Sequence, residues 1–418
     1  MNENQVMKMK VANDNGNGNT KILINGRYTE QPNVIYERGT AIPDTSSWDI
    51  DVIKDLKNNL IIGFFKKEIN FLGVEETEEI IYHIGNCALR SGRRLQGLNI
   101  DVDNDKVKND ITILSTIGYM AADGVKNKVE KIEKENDKAF ELSDIDKIGT
   151  IEIEADLATS IPIRVYTEKL AIELADKFKN NDKAFEFKIY IPKNKFINVK
   201  IKFNEIDIEK EGVTSAYFLA NAEADVFKEH NLTFNDNLSK EFFRDKNNEI
   251  MHIAIGEGTT EFPRTVLYNW LPDFKTGTKN GIGHAMIESI NFLKDIPGTE
   301  DILEPKKLGN IVRNKMENNK DHRFFNEIVK NLNSPISRQA REIKEVMISE
   351  LNRQSPSLVC VYGGGSIMMK YKLEKELREV CDEKKLKLFY VPKKYAVKLE
   401  VYGLFTKVSS PNFKGLQK

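Results

Sequence analysis

Val11-Ala12-Asn13-Asp14-Asn15-Gly16-Asn17-Gly18-Asn19-Thr20-Lys21 runs straight into Ile22-Leu23-Ile24-Asn25-Gly26-Arg27-Tyr28. An Asn-Gly pair between two β-like runs is a strong hairpin signal, because both central residues of a type I′ turn need positive φ. Asn25-Gly26 is therefore expected to close a hairpin, and the glycine loop before it lies between strands of the same meander. That setting excludes two common phosphate loops. A Walker loop ends in GK[ST] and opens a helix, and the dinucleotide fingerprint also opens a helix. Taken alone, the stretch is either a polar Asn/Gly turn or a strand–loop–strand grip for phosphate. The grip reading gives each residue a task. Gly16 and Gly18 let the backbone of Asn15, Gly16, Asn17, Gly18 and Asn19 close on phosphate oxygens with its N–H groups. Lys21 adds a point charge suited to a β- or γ-phosphate. Asp14 holds a hydrated Mg²⁺, a cation that keeps several waters and binds through one or two carboxylates plus phosphates.

The whole chain sets bounds on this reading. Its 418 residues hold about two or three domains' worth of core. With 63 basic and 64 acidic residues the net charge is −1. Nothing global attracts nucleic acid or a membrane, so any role on DNA runs through a local patch or a partner. Cys87, Cys360 and Cys381 have no metal-ligand spacing and read as reduced, buried thiols. The five histidines form no HxH or HxxxH pair. Residues 1–10 are polar, and no apolar run approaches the ~20 residues of a membrane span, so a cytoplasmic protein is expected.

Further along, residues 168–178 (EKLAIELADKF) carry apolar positions at helical spacing, and 185–191 and 198–208 alternate as paired strands. An alanine-rich helix is expected over 215–226. The buried strand Ile250-Met251-His252-Ile253-Ala254-Ile255 runs into a second Gly-x-Gly turn, Gly256-Glu257-Gly258-Thr259-Thr260. Gly281-Ile282-Gly283 then opens a helix over 284–292. This is either an ordinary glycine helix entry or a positive helix end facing an anion. A third turn, Gly363-Gly364-Gly365-Ser366, follows the strand 358–362 and precedes a helix over 367–384. Three glycines there let backbone lie flat against a planar ligand. A strand over 386–391 and a helix over 395–405 close the chain.

Three glycine turns in this order, each after a core strand, resemble the actin–hexokinase–chaperone ATPase superfamily. Residues 14–21 look like its phosphate-1 loop, 256–260 like phosphate-2, and 363–366 like its adenosine motif. Within it the nearest resemblance is to ParM-type actin-like proteins of plasmid segregation. It rests on Glu211-Gly212-Val213-Thr214-Ser215-Ala216-Tyr217, on Thr276 to Gly283, and on Ile311-Val312-Arg313-Asn314-Lys315. The resemblance implies a two-lobed α/β fold with a nucleotide cleft between the lobes. Lobe I would comprise 1–250 and 395–418, with an inserted subdomain at about 35–105 and an enlarged region at about 127–204. Lobe II would comprise 251–394. Two positions depart from the family pattern. Ala254 stands where an Asp usually opens phosphate-2, with Glu257 nearby, and Lys210 stands where a Pro usually precedes the catalytic Glu.

The resemblance also implies ATP or GTP with Mg²⁺ as ligands. Asp14 would hold the metal through water. Lys21, the loop amides and Thr259/Thr260 would hold phosphates, and Gly363, Gly364, Gly365, Ser366 and Lys315 would wall the nucleoside. Glu211 would polarise the attacking water. On its own, the same residue reads equally as a helix N-terminal acid favoured by the helix dipole. The implied function is a filament that polymerises with nucleotide and hydrolyses it. It would segregate plasmid DNA through a ParR-type DNA-binding adaptor on a centromere-like site, with the DNA touched only indirectly. The alternatives are a small-molecule kinase of the same superfamily and a cytoskeletal filament unconnected with plasmids.

Overall fold

The computed structural model describes residues 6–69, 73–91, 93–318 and 321–416. The polar lead-in at 1–5 lies outside the described residues. Two sheets organise the chain. The first contains β1 (Met7–Asn15), β2 (Asn19–Ile24), β3 (Arg27–Pro32), β4 (Val34–Gly39), β5 (Ile61–Ile69), β6 (Glu75–Ile84), β7 (Gln96–Gly97), β8 (Ile151–Ile161), β9 (Phe185–Ile191) and β10 (Lys195–Lys210). Its order is β3-β2-β1-β8-β10-β9-β5-β6-β4-β7. The stretch 35–105, expected as a separate insertion, thus adds strands β4–β7 to the main sheet through the antiparallel β5–β9 pair.

The second sheet contains β11 (Glu249–Ile255), β12 (Thr260–Glu261), β13 (Arg264–Val266), β14 (Asn269–Trp270), β15 (Gly277–Thr278), β16 (Leu358–Tyr362) and β17 (Lys387–Tyr390). β16 lies parallel to β11 and β17. Each sheet carries its own core. One core includes Val11, Ile22, Leu114, Leu157 and Ile201, and the other Ile253, Met286, Ile343, Val361 and Leu373. The result is a two-lobed α/β fold.

The turn chemistry read from the sequence holds. Asn25 (φ 49°) and Gly26 (φ 83°) both sit in the left-handed region between β2 and β3, as a type I′ turn requires. The Asp14 loop joins β1 to β2, closed by Gly16 N–H to the Asn19 carbonyl at 3.0 Å. The second loop joins β11 to β12 in the same way, with Gly256 N–H on the Thr259 carbonyl at 2.9 Å. The registers match as well. Asp14 faces Lys21 and Asn15 faces Thr20 in the first hairpin; Ala254 faces Glu261 and Ile255 faces Thr260 in the second.

Two helices differ from expectation. The alanine-rich stretch 215–226 stops at Ser215–Leu219, and a separate helix runs over Asp225–Phe234. Ala220 and Ala222, between them, are buried with Phe227, Leu358 and Phe389, so packing overrides helix propensity. The same contacts pack 219–243 against the second sheet, whereas lobe I is expected to extend to 250. The closing segment is split into Lys393–Ala396 and Leu399–Val408. The Ala396 carbonyl is taken by Gly363 N–H at 2.9 Å, which removes it as an acceptor for the next turn. Leu399–Val408 then packs Val401, Leu404 and Val408 on Ala12, Leu23 and Ala158 of the first sheet.

Candidate functional site

The two glycine hairpins meet at a cleft between the lobes. It is lined from one side by Asp14 to Asn19, Lys21, Lys106 and Glu211, and from the other by Ala254 to Thr259, Glu261 and Gly363 to Gly365. The loops touch. A Cβ on Gly258 would lie 2.2 Å from Asn17 Nδ2, and one on Gly18 would run into the Glu257 carboxylate. A side chain at either glycine would have to push aside the Glu257 carboxylate or the Asn17 amide, so the glycines let the two loops close on each other.

Cross-strand register sets the first charge pair. Asp14 and Lys21 are directly opposed on β1 and β2, and Lys21 Nζ donates to Asp14 Oδ2 at 2.7 Å. Burial would raise the Asp14 pKa, but the Lys21 and Lys106 ammonium groups outweigh it and hold the carboxyl below the ordinary range. A second pair lies behind it. Lys106 Nζ donates to Glu211 Oε1 at 2.5 Å and to the Ser160 carbonyl at 2.8 Å. Burial raises the Glu211 pKa; Lys106 opposes this and the Asp14 charge reinforces it.

Two further acids complete the cluster. Glu261 is 2% exposed, and hydrogen bonding from Thr259 and from the Arg164 backbone only partly offsets its burial. Burial, with the Glu211 charge adding to it, pushes Glu261 up to about 8. Glu400, on the closing helix, is likewise pushed up to about 8 by burial; Thr214 opposes the shift, and the Asp14 and Glu211 charges add to it.

These shifts fix the sign of a pH response. Between pH ~6.5 and 8 the unfolded chain has lost both protons while the folded chain retains them, so stability falls as pH rises, by at most ~1.4 kcal/mol per pH unit for each group. Both groups line the cleft, and Glu261 carries the larger share because it is buried whereas Glu400 is half-buried. Below pH ~6.5 the buried histidines act in the opposite sense. His83 is lowered to about 4 by burial and Arg38, and His252 to about 3 by burial. The slope should therefore flatten there. Thermal melts of the ligand-free protein should show Tm falling from pH 6.5 to 8, and Glu261→Gln should remove most of that fall. An unchanged slope in the variant would exclude Glu261 as its source.

Most residues expected at the site line the cleft: Asp14, Asn15, Gly16, Asn17, Gly18, Asn19, Lys21, Glu211, Gly256, Glu257, Gly258, Thr259, Gly363, Gly364 and Gly365. Three do not. Thr260 alternates to the other face of its strand from Thr259, and its Oγ1 donates to the Asn280 carbonyl at 2.8 Å. Ser366 is buried, its hydroxyl donating to the Gly363 carbonyl at 2.8 Å. Lys315 pairs with Asp321 at 2.7 Å. It lies two residues, or about 200°, around the helix Pro305–Asn318 from Arg313, which does line the cleft. Arg313 reaches across to Asn19 Oδ1 at 3.0 Å.

Glu257 does not take up the place left by Ala254: it reaches across the cleft mouth towards Gly18 and pairs with Lys306 at 2.9 Å. The carboxylate beside Ala254 is its cross-strand partner Glu261. The helix Ile282–Leu293 is not an open anion site. Its entering amides at Ile282 and Gly283 donate to the Gly256 and Glu257 carbonyls, bracing the second loop. Lys106, Glu261 and Glu400 carried no sequence signal of a site role, because each reaches the cleft only through the fold; Arg313 lies in the stretch 311–315 whose Lys315 was expected there instead.

No family model matches the sequence, and no curated protein matches it. Solved structures do. The chain aligns over 96% of its length with 96% of the actin-like protein Alp7A, at TM-score 0.61 and 15% identity. It aligns over 96% with 98% of a Bacillus thuringiensis ParM solved with ATP, at TM-score 0.53 and 14% identity. An archaeal actin homolog matches over 95% of this chain and 98% of its own, at TM-score 0.53 and 11% identity. The chain therefore has the two-lobed actin-like fold, and ParM and Alp7A are among its structural neighbours.

Proposed function

We propose that this chain is a nucleotide-dependent, filament-forming actin-like protein that binds ATP or GTP with Mg²⁺ in the interlobe cleft and hydrolyses it. The observation that carries the reading is the convergence of two glycine hairpins of identical register on one cleft, with the Asp14–Lys21 and Lys106–Glu211 pairs between them. Loop amides, Lys21 and Thr259 suit phosphate oxygens. Arg313 and Gly363 to Gly365 suit the nucleoside end. Among the described residues, no group of three or more His, Cys, Asp or Glu side chains is placed to chelate a metal directly. A lone low-pKa carboxylate, Asp14, fits a cation held through its own waters and the phosphates. When bound, Mg²⁺ would neutralise phosphate charge.

Glu211 accepts the proton of the attacking water, and Lys106 holds its carboxylate in place. Head-to-tail contacts whose rotation does not close would give an open filament. With a net charge of −1, the filament would reach plasmid DNA through a basic adaptor rather than directly. Among the described residues no helix is long and apolar enough to cross a membrane. Right-angle light scattering of the purified protein should rise on adding Mg²⁺ with ATP or GTP, and negative-stain images should show filaments. A flat trace with both nucleotides across a range of salt would overturn the filament reading.

A further inference from the structure

Glu211 sits at the first residue after β10, where the chain leaves the first sheet, and its own N–H donates to the Ile161 carbonyl of β8 at 2.9 Å. The next residue, Gly212, is held at both of its polar groups by other parts of the molecule. Its N–H donates to Glu400 Oε1 of the closing helix at 3.0 Å. Its carbonyl accepts from Tyr362 Oη of β16 at 2.7 Å and from Ser215 Oγ at 2.9 Å. The second Glu400 oxygen accepts from the Thr214 hydroxyl.

The backbone here has no slack. Gly212 has φ 86°, a conformation that favours glycine, and a Cβ on it would lie 2.5 Å from Pro263 of the second lobe. The closing helix reaches this segment only because Gly403 has no side chain: a Cβ there would lie 1.8 Å from the Thr214 carbonyl. The peptide following Glu211 is thus gripped by both lobes at once, and Glu400 is the carboxyl group that joins the closing helix to it.

We infer that Glu400 is a positioning residue for Glu211: by accepting from Gly212 N–H and Thr214 Oγ1 it fixes the segment 211–214, and so makes the placement of Glu211 depend on how the closing helix sits between the lobes. The inference rests on Glu211 being the proton acceptor proposed above. Glu400 touches no reacting atom in this scheme. A glutamine in its place still offers a carbonyl oxygen to Gly212 N–H, whereas alanine leaves that amide without a partner.

The test compares wild type, Glu400→Gln and Glu400→Ala in two measurements. The first is phosphate release, with nucleotide affinity read separately by titration of a fluorescent ATP analogue. Glu400→Ala should lose at least about tenfold in kcat with affinity changed less than about twofold, and Glu400→Gln should stay within about threefold of wild type. The second is amide hydrogen exchange of residues 211–214 in the ligand-free protein. This should speed up at least about tenfold in the alanine variant and hardly at all in the glutamine variant.

If the alanine variant does not fold, Glu400→Asp, which draws the carboxylate back by one methylene, should show the same two changes. Equal kcat in alanine and wild type, or equal losses in alanine and glutamine, would overturn the inference; so would unchanged exchange. A wild type that binds and hydrolyses no nucleotide would sink the proposed function instead. In that case the exchange result alone would decide whether Glu400 holds the segment.

Discussion

Replacing Asp14 with alanine is expected to weaken Mg²⁺-dependent binding of ATP or GTP by at least about 100-fold, or ~2.7 kcal/mol. Asp14 is 6% exposed and directly opposite Lys21 in the β1–β2 register, 2.7 Å from its ammonium. Its removal acts twice. The cation loses its carboxylate, and Lys21 is left as a buried charge without its hairpin partner. Breaking a buried pair from one side costs ~3–5 kcal/mol. The two effects separate on chelation. In EDTA the metal contribution vanishes from both proteins, and their affinities should converge, because Lys21 then turns wholly to phosphate. Isothermal titration with and without Mg²⁺ measures this directly. Wild-type affinity for the Mg²⁺ complex in the variant would remove Asp14 from the site.

The second large effect is expected at Glu211. Glu211→Gln should lower the rate of phosphate release by about 10²–10⁴-fold, the range for loss of a positioned proton acceptor. Assembly and nucleotide affinity should survive, because glutamine keeps the shape and the hydrogen bond from Lys106 Nζ. The wild-type rate should rise with pH through the folded pKa of Glu211, since only the carboxylate accepts a proton. Burial, set against Lys106 and reinforced by Asp14, puts that limb above the ordinary glutamate value. Phosphate release followed across pH with a coupled colour assay tests both statements. A variant as fast as wild type would return Glu211 to the role of a helix-leading acid.

Much of this cleft was legible in the sequence, for a definite reason. The three glycine turns are local objects: Gly16 and Gly18, Gly256 and Gly258, and Gly363 to Gly365 each follow directly on a strand, so spacing alone places them at the same sheet ends. Asp14 and Lys21 are seven residues apart but cross-strand neighbours, which a two-residue period and a tight turn together predict.

What was not legible is what depends on distant packing. Lys106 meets Glu211 across 105 residues, and Glu400 meets Gly212 across 188. No local pattern encodes either contact. The misplaced residues Thr260 and Lys315 failed on phase. Both stand in the right element, and each faces away by one strand position or half a helical turn. The sheet of ten strands was also beyond reach, because the β5–β9 pairing joins segments separated by more than 110 residues.

The edges of the two sheets matter if copies of this chain gather at high local concentration. β7, at one end of the first sheet, and β14 and β15, in the second, are two residues long. The strand at the other end of the first sheet, β3, finishes on Pro32, which has no N–H to offer. β7, β14 and β15 are too short to present more than a trace of free backbone ladder to a neighbouring molecule, whereas β3 and β17, which pairs only with β16, each keep one open side. At those three short edges crowded copies find little on which to add strand to strand, so an ordered contact there has to be specified by side chains.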